Sequence, residues 1–148
     1  MPNQKQEDRL NFIPNKGLGK IEFTFEEKEV IKILGKPTLV NDENFDSIYY
    51  HYQIDDADLF FFFHYENGKF DYLTIHPNIL YLDGTDITKM NKNDLLNFIK
   101  HYHKKRNFNY LFEIVEDELD YSYDYTNIGL TIWFEGESVS DICLYPSF

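Results

Sequence analysis

One run of seven large side chains, Leu59-Phe-Phe-Phe-Phe-His-Tyr65, constrains the fold of this chain more than any other segment. Aromatic residues favour a pleated strand, and the run is shorter than a typical helix. Turn-forming residues bound it, with Asp55-Asp-Ala-Asp58 before it and Glu66-Asn-Gly68 after it. Because Asn-Gly favours a two-residue hairpin loop, we expect Lys69 to His76 to return antiparallel to this strand.

The alternation of side chains along this strand predicts two different aromatic faces. Successive side chains of a strand point to opposite sides of the sheet. One side therefore carries Leu59, Phe61, Phe63 and Tyr65, and the other carries Phe60, Phe62 and His64. One side must belong to the core, so the second side requires a separate explanation.

Length and composition predict a single domain in a reducing compartment. A chain of 148 residues can bury a core without disulfides or metal, and its single cysteine, Cys143, excludes an internal disulfide. We expect only residues 1–12 to form a loose polar end. The chain shows neither a signal-peptide pattern nor an apolar stretch long enough to cross a membrane, which favours a cytoplasmic protein without membrane contact.

The charge balance favours a basic protein partner. The chain has 26 acidic and 14 basic residues, giving a net charge of −12. Such a chain repels phosphate backbones, which argues against nucleic-acid binding, and it attracts a basic protein electrostatically.

The order of predicted elements repeats along the chain. A helix capped by Thr24 and ended by Gly35 precedes three strands, and a second helix at about 94–106 again precedes three strands, with a further short strand possible at 110–115. Sliding the chain on itself by about 69 residues aligns the two units. The predicted strands lie at 47–54, 59–65, 70–76, 119–125, 128–134 and 139–145.

This repeat predicts an α+β fold. Two helix-plus-three-strand units, at about 17–77 and 84–146, would form one antiparallel sheet with both helices packed on one face. The purely apolar series Ile128, Leu130, Ile132 and Phe134 must face the core, and the repeat then assigns the side of Leu59 to the core as well. The opposite side of the sheet is left open.

The open side is the predicted partner-binding surface. Its aromatic side chains each bury about 150–250 Å², so together they exceed the patch of about 300–600 Å² usual on a monomer. Homodimerisation is an alternative cover for this face. An acidic cluster beside it would speed the association of a basic partner. The predicted partner-binding residues are Tyr49, Phe60, Phe62, Tyr72, Glu116, Asp117, Asp120, Asp124, Trp133 and Tyr145.

One segment resembles a known architecture. Residues 17–37, Gly-Leu-Gly-Lys-Ile-Glu-Phe-Thr-Phe-Glu-Glu-Lys-Glu-Val-Ile-Lys-Ile-Leu-Gly-Lys-Pro, resemble the opening of tandem-repeat proteins similar to β-lactamase inhibitory protein and of small bacterial immunity proteins. The second unit lacks the Leu-Gly-x-Pro helix end. The resemblance implies a concave sheet face, rich in aromatic and acidic residues, that binds a partner protein. It also implies a cognate toxin of a contact-dependent or polymorphic toxin system, usually a basic nuclease domain.

An enzyme is the weaker alternative. His51, His64 and His76 share one predicted face and could bind zinc or iron, whereas Cys143 has no basic neighbour in sequence that would activate its thiol. Motifs for nucleotide binding, serine hydrolysis or zinc proteolysis are absent, so no cofactor is expected. A small ligand bound on the aromatic face beneath residues 77–92 is a further alternative. Together with the open face and the acidic charge, the resemblance implies an immunity protein that neutralises a toxin by steric and electrostatic occlusion.

Overall fold

The computed structural model describes residues 6–41, 47–64, 67–77, 79–116 and 120–147. Helices and strands are interspersed along the chain, as expected for an α+β fold. In order they are α1 Gln6–Arg9, β1 Asn11–Ile13, β2 Gly17–Leu18, β3 Ile21–Glu22, α2 Glu27–Leu34, β4 Leu39–Asn41, β5 Ser47–Ile54, β6 Ala57–His64, β7 Phe70–His76, β8 Tyr81–Leu82, β9 Thr85–Asp86, a 3-10 turn Ile87–Lys89, α3 Lys92–Lys105, β10 Glu113–Glu116, β11 Asp120–Tyr125, β12 Leu130–Glu135 and β13 Ser138–Leu144.

Eight strands form one large antiparallel sheet in the order β10-β11-β12-β13-β7-β6-β5-β4. Its two central strands, β13 and β7, come from different parts of the sequence and pair with Cys143 opposite Thr74. The antiparallel return of β7 along β6 confirms the predicted hairpin. Its loop is longer than two residues, because the His64 amide bonds to the Lys69 carbonyl at 2.8 Å.

The core lies on one side of the large sheet. Along β6, Leu59, Phe61 and Phe63 are fully buried, which confirms their predicted orientation, while Tyr65 lies outside the described residues. In the second half of the sheet, Ile128, Leu130, Ile132 and Phe134 are also fully buried, as predicted.

Both longer helices pack on this core side. Tyr50 donates a hydrogen bond of 2.9 Å to Glu27 in α2, and Tyr52 donates one of 2.8 Å to the Gly35 carbonyl at the end of that helix. On the other half, the ring of His103 in α3 lies 5.6 Å from that of Tyr125. The predicted placement of both helices on one face is therefore correct.

The helix starts differ from the predicted ones. The predicted cap Thr24 is wrong, because α2 begins after Glu26, whose amide donates to the Glu29 carboxylate at 3.4 Å. The second helix begins two residues earlier than predicted, since Asn91 caps it by accepting a hydrogen bond of 2.9 Å from the Asp94 amide. A side chain that satisfies a free amide fixes each start.

A second, smaller sheet was not predicted, although the sequence pattern favours a short strand at 20–23, where β3 lies. It has the order β3-β2-β1-β8-β9 and includes segments expected to be loop or irregular. It packs on the core through Phe12, whose ring contacts Phe23, which in turn contacts Phe70. Leu10 and Phe12 are buried, so the expected loose end does not extend to residue 12. No helix in the described ranges is long and apolar enough to cross a membrane.

Candidate protein-binding face

The side of the large sheet opposite the core, here called the open face, carries a cluster of aromatic rings at its β5-β6-β7 end. The alternation of β6 places Phe60 and Phe62 there, each half-buried. The Phe62 ring stacks on Tyr72 with centroids 4.3 Å apart, and Tyr49 lies 5.2 Å from Phe62. His51 stacks on Phe60 at 4.7 Å. Cross-strand neighbours therefore hold these rings in a continuous layer.

The β11-β12-β13 end of the open face is polar and centred on Asp124. The Oδ1 atom of Asp124 accepts hydrogen bonds from Tyr145 at 2.5 Å and from Thr131 at 3.0 Å. Thr131 and Ser122 are only 8% and 5% exposed, whereas Trp133, opposite Ser122, is 37% exposed. The indole is thus the prominent apolar side chain of this end.

The thiol of Cys143 lies between the two ends of the open face. Burial, followed by the negative charges of Asp124 and Asp71, raises its pKa from 9.0 to about 12. The pKa of Tyr145 is also raised, first by burial and then by its hydrogen bond to Asp124. Both groups are therefore protonated at neutral pH, so Cys143 does not have the character of a nucleophile.

The three histidines predicted as metal-ligand candidates do not converge. His51 Nε2 lies 3.0 Å from Asp58, His64 Nε2 lies 3.5 Å from Asp71, and His76 Nδ1 lies 3.2 Å from Asp141. Each histidine thus pairs with a different aspartate at a different place on the face. Within the described part of the chain, no group of three or more His, Cys, Asp and Glu residues could hold a metal ion.

The charges of the large sheet are of one sign. All 14 Lys and Arg residues of the chain lie outside its eight strands, in the helices, the loops and the N-terminal segment. The cations therefore belong to other elements, although Lys92 of α3 reaches the core side of the sheet, where its Nζ lies 4.0 Å from the Tyr121 ring. The strands of the large sheet carry eight acidic residues: Asp58, Asp71, Glu113, Glu116, Asp120, Asp124, Glu135 and Asp141.

The structure brings most of the predicted partner-binding residues onto the open face. Tyr49, Phe60, Phe62 and Tyr72 form the aromatic cluster, Asp124 and Tyr145 form the polar centre, and Trp133 and Asp120 share that side by register. Glu116 pairs with Tyr121 and so lies on the opposite side of the sheet, at its β10 edge, while its predicted role in partner binding stays a prediction. Asp117 lies outside the described residues.

Sequence reasoning missed a depression at the junction of the two ends. It has a volume of about 440 Å³ and lies over the β7-β13 pairing. Asp71 reaches it because a register shift between Phe62 and Phe63 adds one residue to β7. No pattern in the sequence signals that shift. The lining residues are His64, Phe70, Asp71, Tyr72, Cys143, Tyr145 and Pro146.

Comparison with known proteins identifies similar folds only. No family model matches the chain. No curated protein matches it. Two solved structures are similar. A DUF4309 family protein (YjgB) from Bacillus subtilis has a TM-score of 0.53 and 12% identity over 90% of this chain and 86% of that one. An extracellular protein containing a SCP domain from Bacillus anthracis has a TM-score of 0.50 and 8% identity over 83% of this chain, which spans only 43% of that protein's length. At such identities, these likenesses show a shared fold and carry no information about activity.

Proposed function

We propose that this chain is an immunity protein that binds a cognate toxin, a basic nuclease domain, through the open face and neutralises it by occlusion. The observation that carries the proposal is the one-sided charge of the large sheet, whose eight strands contain acidic residues and no Lys or Arg. A basic partner would meet no like charge from these strands. The toxin, its reaction and the cytoplasmic site of action are parts of the same proposal.

The aromatic cluster supplies the second argument for a protein partner. Half-buried stacked rings such as Phe62 and Tyr72 are already ordered by their neighbours, so their burial costs little side-chain entropy. Aromatic residues dominate the binding energy of protein interfaces, while charges around them mainly set the association rate. The combination of aromatic cluster, exposed Trp133 and acidic surroundings suits an inhibitor surface.

We further propose that the architecture is a tandem repeat. Support comes from the strand order: α2 is followed by β4-β5-β6-β7, α3 is followed by β10-β11-β12-β13, and the two sets meet through their last strands. Each unit then has four strands, one more than the sequence suggested. Within each set, the second strand pairs antiparallel with the third, and the third pairs antiparallel with the last.

The test begins with co-expression of this chain and the product of the adjacent upstream gene. Size-exclusion chromatography and a growth assay, with and without this chain, then report complex formation and protection. We expect a stable heterocomplex and rescued growth. Absence of both a complex and toxicity would overturn the proposal. A homodimer that forms through the open face would then explain the aromatic residues of that face.

Variants of the open face identify the binding surface. Trp133→Ala and Phe62→Ala are expected to weaken the complex without unfolding the chain, since neither side chain is fully buried. Asp120→Lys should slow association in a salt-dependent manner. Glu22→Lys is the matched control, because Glu22 is exposed on the smaller sheet. If all three open-face variants bind with the same affinity and rate as the natural chain and the Glu22→Lys control, the open face is not the binding site.

A further inference from the structure

One edge of the large sheet is exposed and apolar. β10 is the terminal strand and pairs only with β11 among the described strands. Its two central side chains are unusually accessible, with Ile114 48% and Val115 61% exposed, and the preceding Leu111 and Phe112 are 58% and 40% exposed. These four residues are half of the eight exposed large apolar side chains in the described part of the chain.

This edge has two of the features by which edge strands avoid pairing, its short length and its glutamates, but it contains no lysine, proline or bulge. The glutamates repel an acidic segment and leave a basic segment as the compatible partner. β10 contains Glu-Ile-Val-Glu, and its four residues pair with β11 without a register shift. A regular strand with accessible β-branched residues and a free row of backbone groups is a template for one more strand.

From this edge we infer that β10 receives an extended segment of a basic protein as a ninth strand of the sheet. The inference rests on the proposed function, since the partner is the same basic protein, and it adds the mode of binding. Glu113 lies on the open face and pairs with Asp124 of β11. Glu116 lies on the other side of the sheet and pairs with Tyr121. The recognised segment therefore carries cations opposite both glutamates and apolar residues opposite Ile114 and Val115. Its pattern is cation, apolar, apolar, cation.

Charge argues against a second copy of this chain as the added strand. In the antiparallel register that pairs all four residues of two β10 strands, Glu113 of each copy lies opposite Glu116 of the other. Directly opposed like charges destabilise a strand pair. Each chain also carries a net charge of −12, which adds long-range repulsion.

The test uses a fluorescently labelled synthetic peptide with Lys-Val-Ile-Lys at its centre. A peptide with Glu-Val-Ile-Glu is the charge control, and one with Val-Lys-Lys-Ile keeps the composition but sets the cations opposite Ile114 and Val115. Fluorescence anisotropy gives the affinity, and hydrogen exchange of the full chain locates the protected amides. We expect saturable binding of the first peptide alone and slower exchange at residues 113–116.

A charge exchange makes the test specific. The double variant Glu113→Lys/Glu116→Lys should bind the Lys-Val-Ile-Lys peptide about tenfold more weakly and should gain affinity for the Glu-Val-Ile-Glu peptide. Thermal unfolding of the variant verifies that it is folded. Absence of binding, protection elsewhere than β10, or affinity unchanged by the exchange would overturn the inference. A dimer whose β10 amides are protected without peptide would assign the edge to a second copy.

Failure of this inference is distinguishable from failure of the proposed function. If the chain neutralises the toxin while the charge-exchanged variant remains fully protective and the peptide does not bind, strand addition is wrong and immunity stands. If the peptide binds β10 but the chain neither binds nor neutralises the upstream product, immunity is wrong and the strand-accepting edge stands.

Discussion

Tyr145 donates a hydrogen bond of 2.5 Å to Oδ1 of Asp124, the same oxygen that accepts a hydrogen bond from Thr131 at 3.0 Å. The acceptor lies on β11, Thr131 lies on β12 and the phenol directly follows β13, so one carboxylate connects three successive segments of the sheet. A negative charge is thereby fixed beside Cys143, whose thiol it helps to keep protonated.

Cys143 is expected to react slowly with iodoacetamide. Its pKa is raised from 9.0 to about 12, chiefly by burial, so the thiolate fraction near neutral pH falls by about a hundredfold to a thousandfold. Mass spectrometry of the folded and urea-unfolded chain measures the two alkylation rates. Asp124→Asn should also accelerate alkylation of the folded chain, but by a smaller factor than unfolding does. Equal rates in the folded and unfolded states would contradict the burial of this thiol.

Two adjacent phenylalanines are expected to differ in their contribution to stability. Phe61 is fully buried, so Phe61→Ala should lower the free energy of unfolding by about 3–5 kcal/mol. Phe62 is half-buried on the open face, so Phe62→Ala should cost roughly half of that or less. Urea unfolding measures both. Equal losses would mean that both sides of β6 are packed as core.

Gly129 and Gly136 form a matched pair of turn glycines. Their φ angles are +66° and +63°, so alanine at either position adopts a left-handed backbone that costs about 1–2 kcal/mol. A Cβ atom at Gly129 would also lie 1.9 Å from the Tyr145 carbonyl oxygen, whereas one at Gly136 meets nothing within 4 Å. Thermal unfolding should therefore show a larger loss for Gly129→Ala than for Gly136→Ala.

The outcome at Gly129 also concerns the open face. Its carbonyl accepts a hydrogen bond of 3.0 Å from the Tyr145 amide, so a shift there would move the phenol that bonds to Asp124. Similar losses for the two variants would show that the chain relaxes around Gly129.

Tyr50 makes stability dependent on alkaline pH. Burial, and then the hydrogen bond to Glu27, raises its pKa from 10.0 to about 12. The folded state therefore prefers the neutral phenol: its contribution to stability is complete below pH 10.0 and is lost as the pH rises towards about 12. Denaturant unfolding across this interval should show a shallower decline for Tyr50→Phe than for the natural chain.

Glu27→Gln is the control for the alkaline prediction. It removes the negative charge but leaves Tyr50 buried, so the decline should fall between those of Tyr50→Phe and the natural chain. Because burial also raises the pKa of Tyr52 and Tyr102, a decline should remain in every variant. An identical slope in all three chains would show that Tyr50 does not control it.

The large sheet was predictable because its strands are long enough to show alternation. Seven or eight residues, as in β5, β6 and β7, repeat the buried and exposed positions several times. The smaller sheet has strands of two or three residues, too few for any period to appear. Tertiary packing of residues such as Phe12, and not local pattern, forms that sheet.

The same distinction applies to the candidate site. The side of the sheet on which a side chain lies follows from its odd or even position along the strand. Phe60, Phe62 and Trp133 could therefore be assigned to the open face without knowing how the strands pair. Distances between strands require the register, which is why the three histidines appeared to converge and Asp71 was overlooked. The side of Glu116 could not be deduced because β10 begins after an irregular segment.

The partition of charge has a practical consequence for protein chemistry. Trypsin cleaves after Lys and Arg, and none of these residues lies within the strands of the large sheet. Because trypsin does not cleave the Lys36–Pro37 bond, a complete digest would cut the helices and the N-terminal segment into short peptides but release the sheet as three long ones, 33–69, 70–89 and 107–148. Mapping a bound toxin by crosslinking or footprinting on the open face therefore requires a protease that cleaves at acidic or aromatic residues.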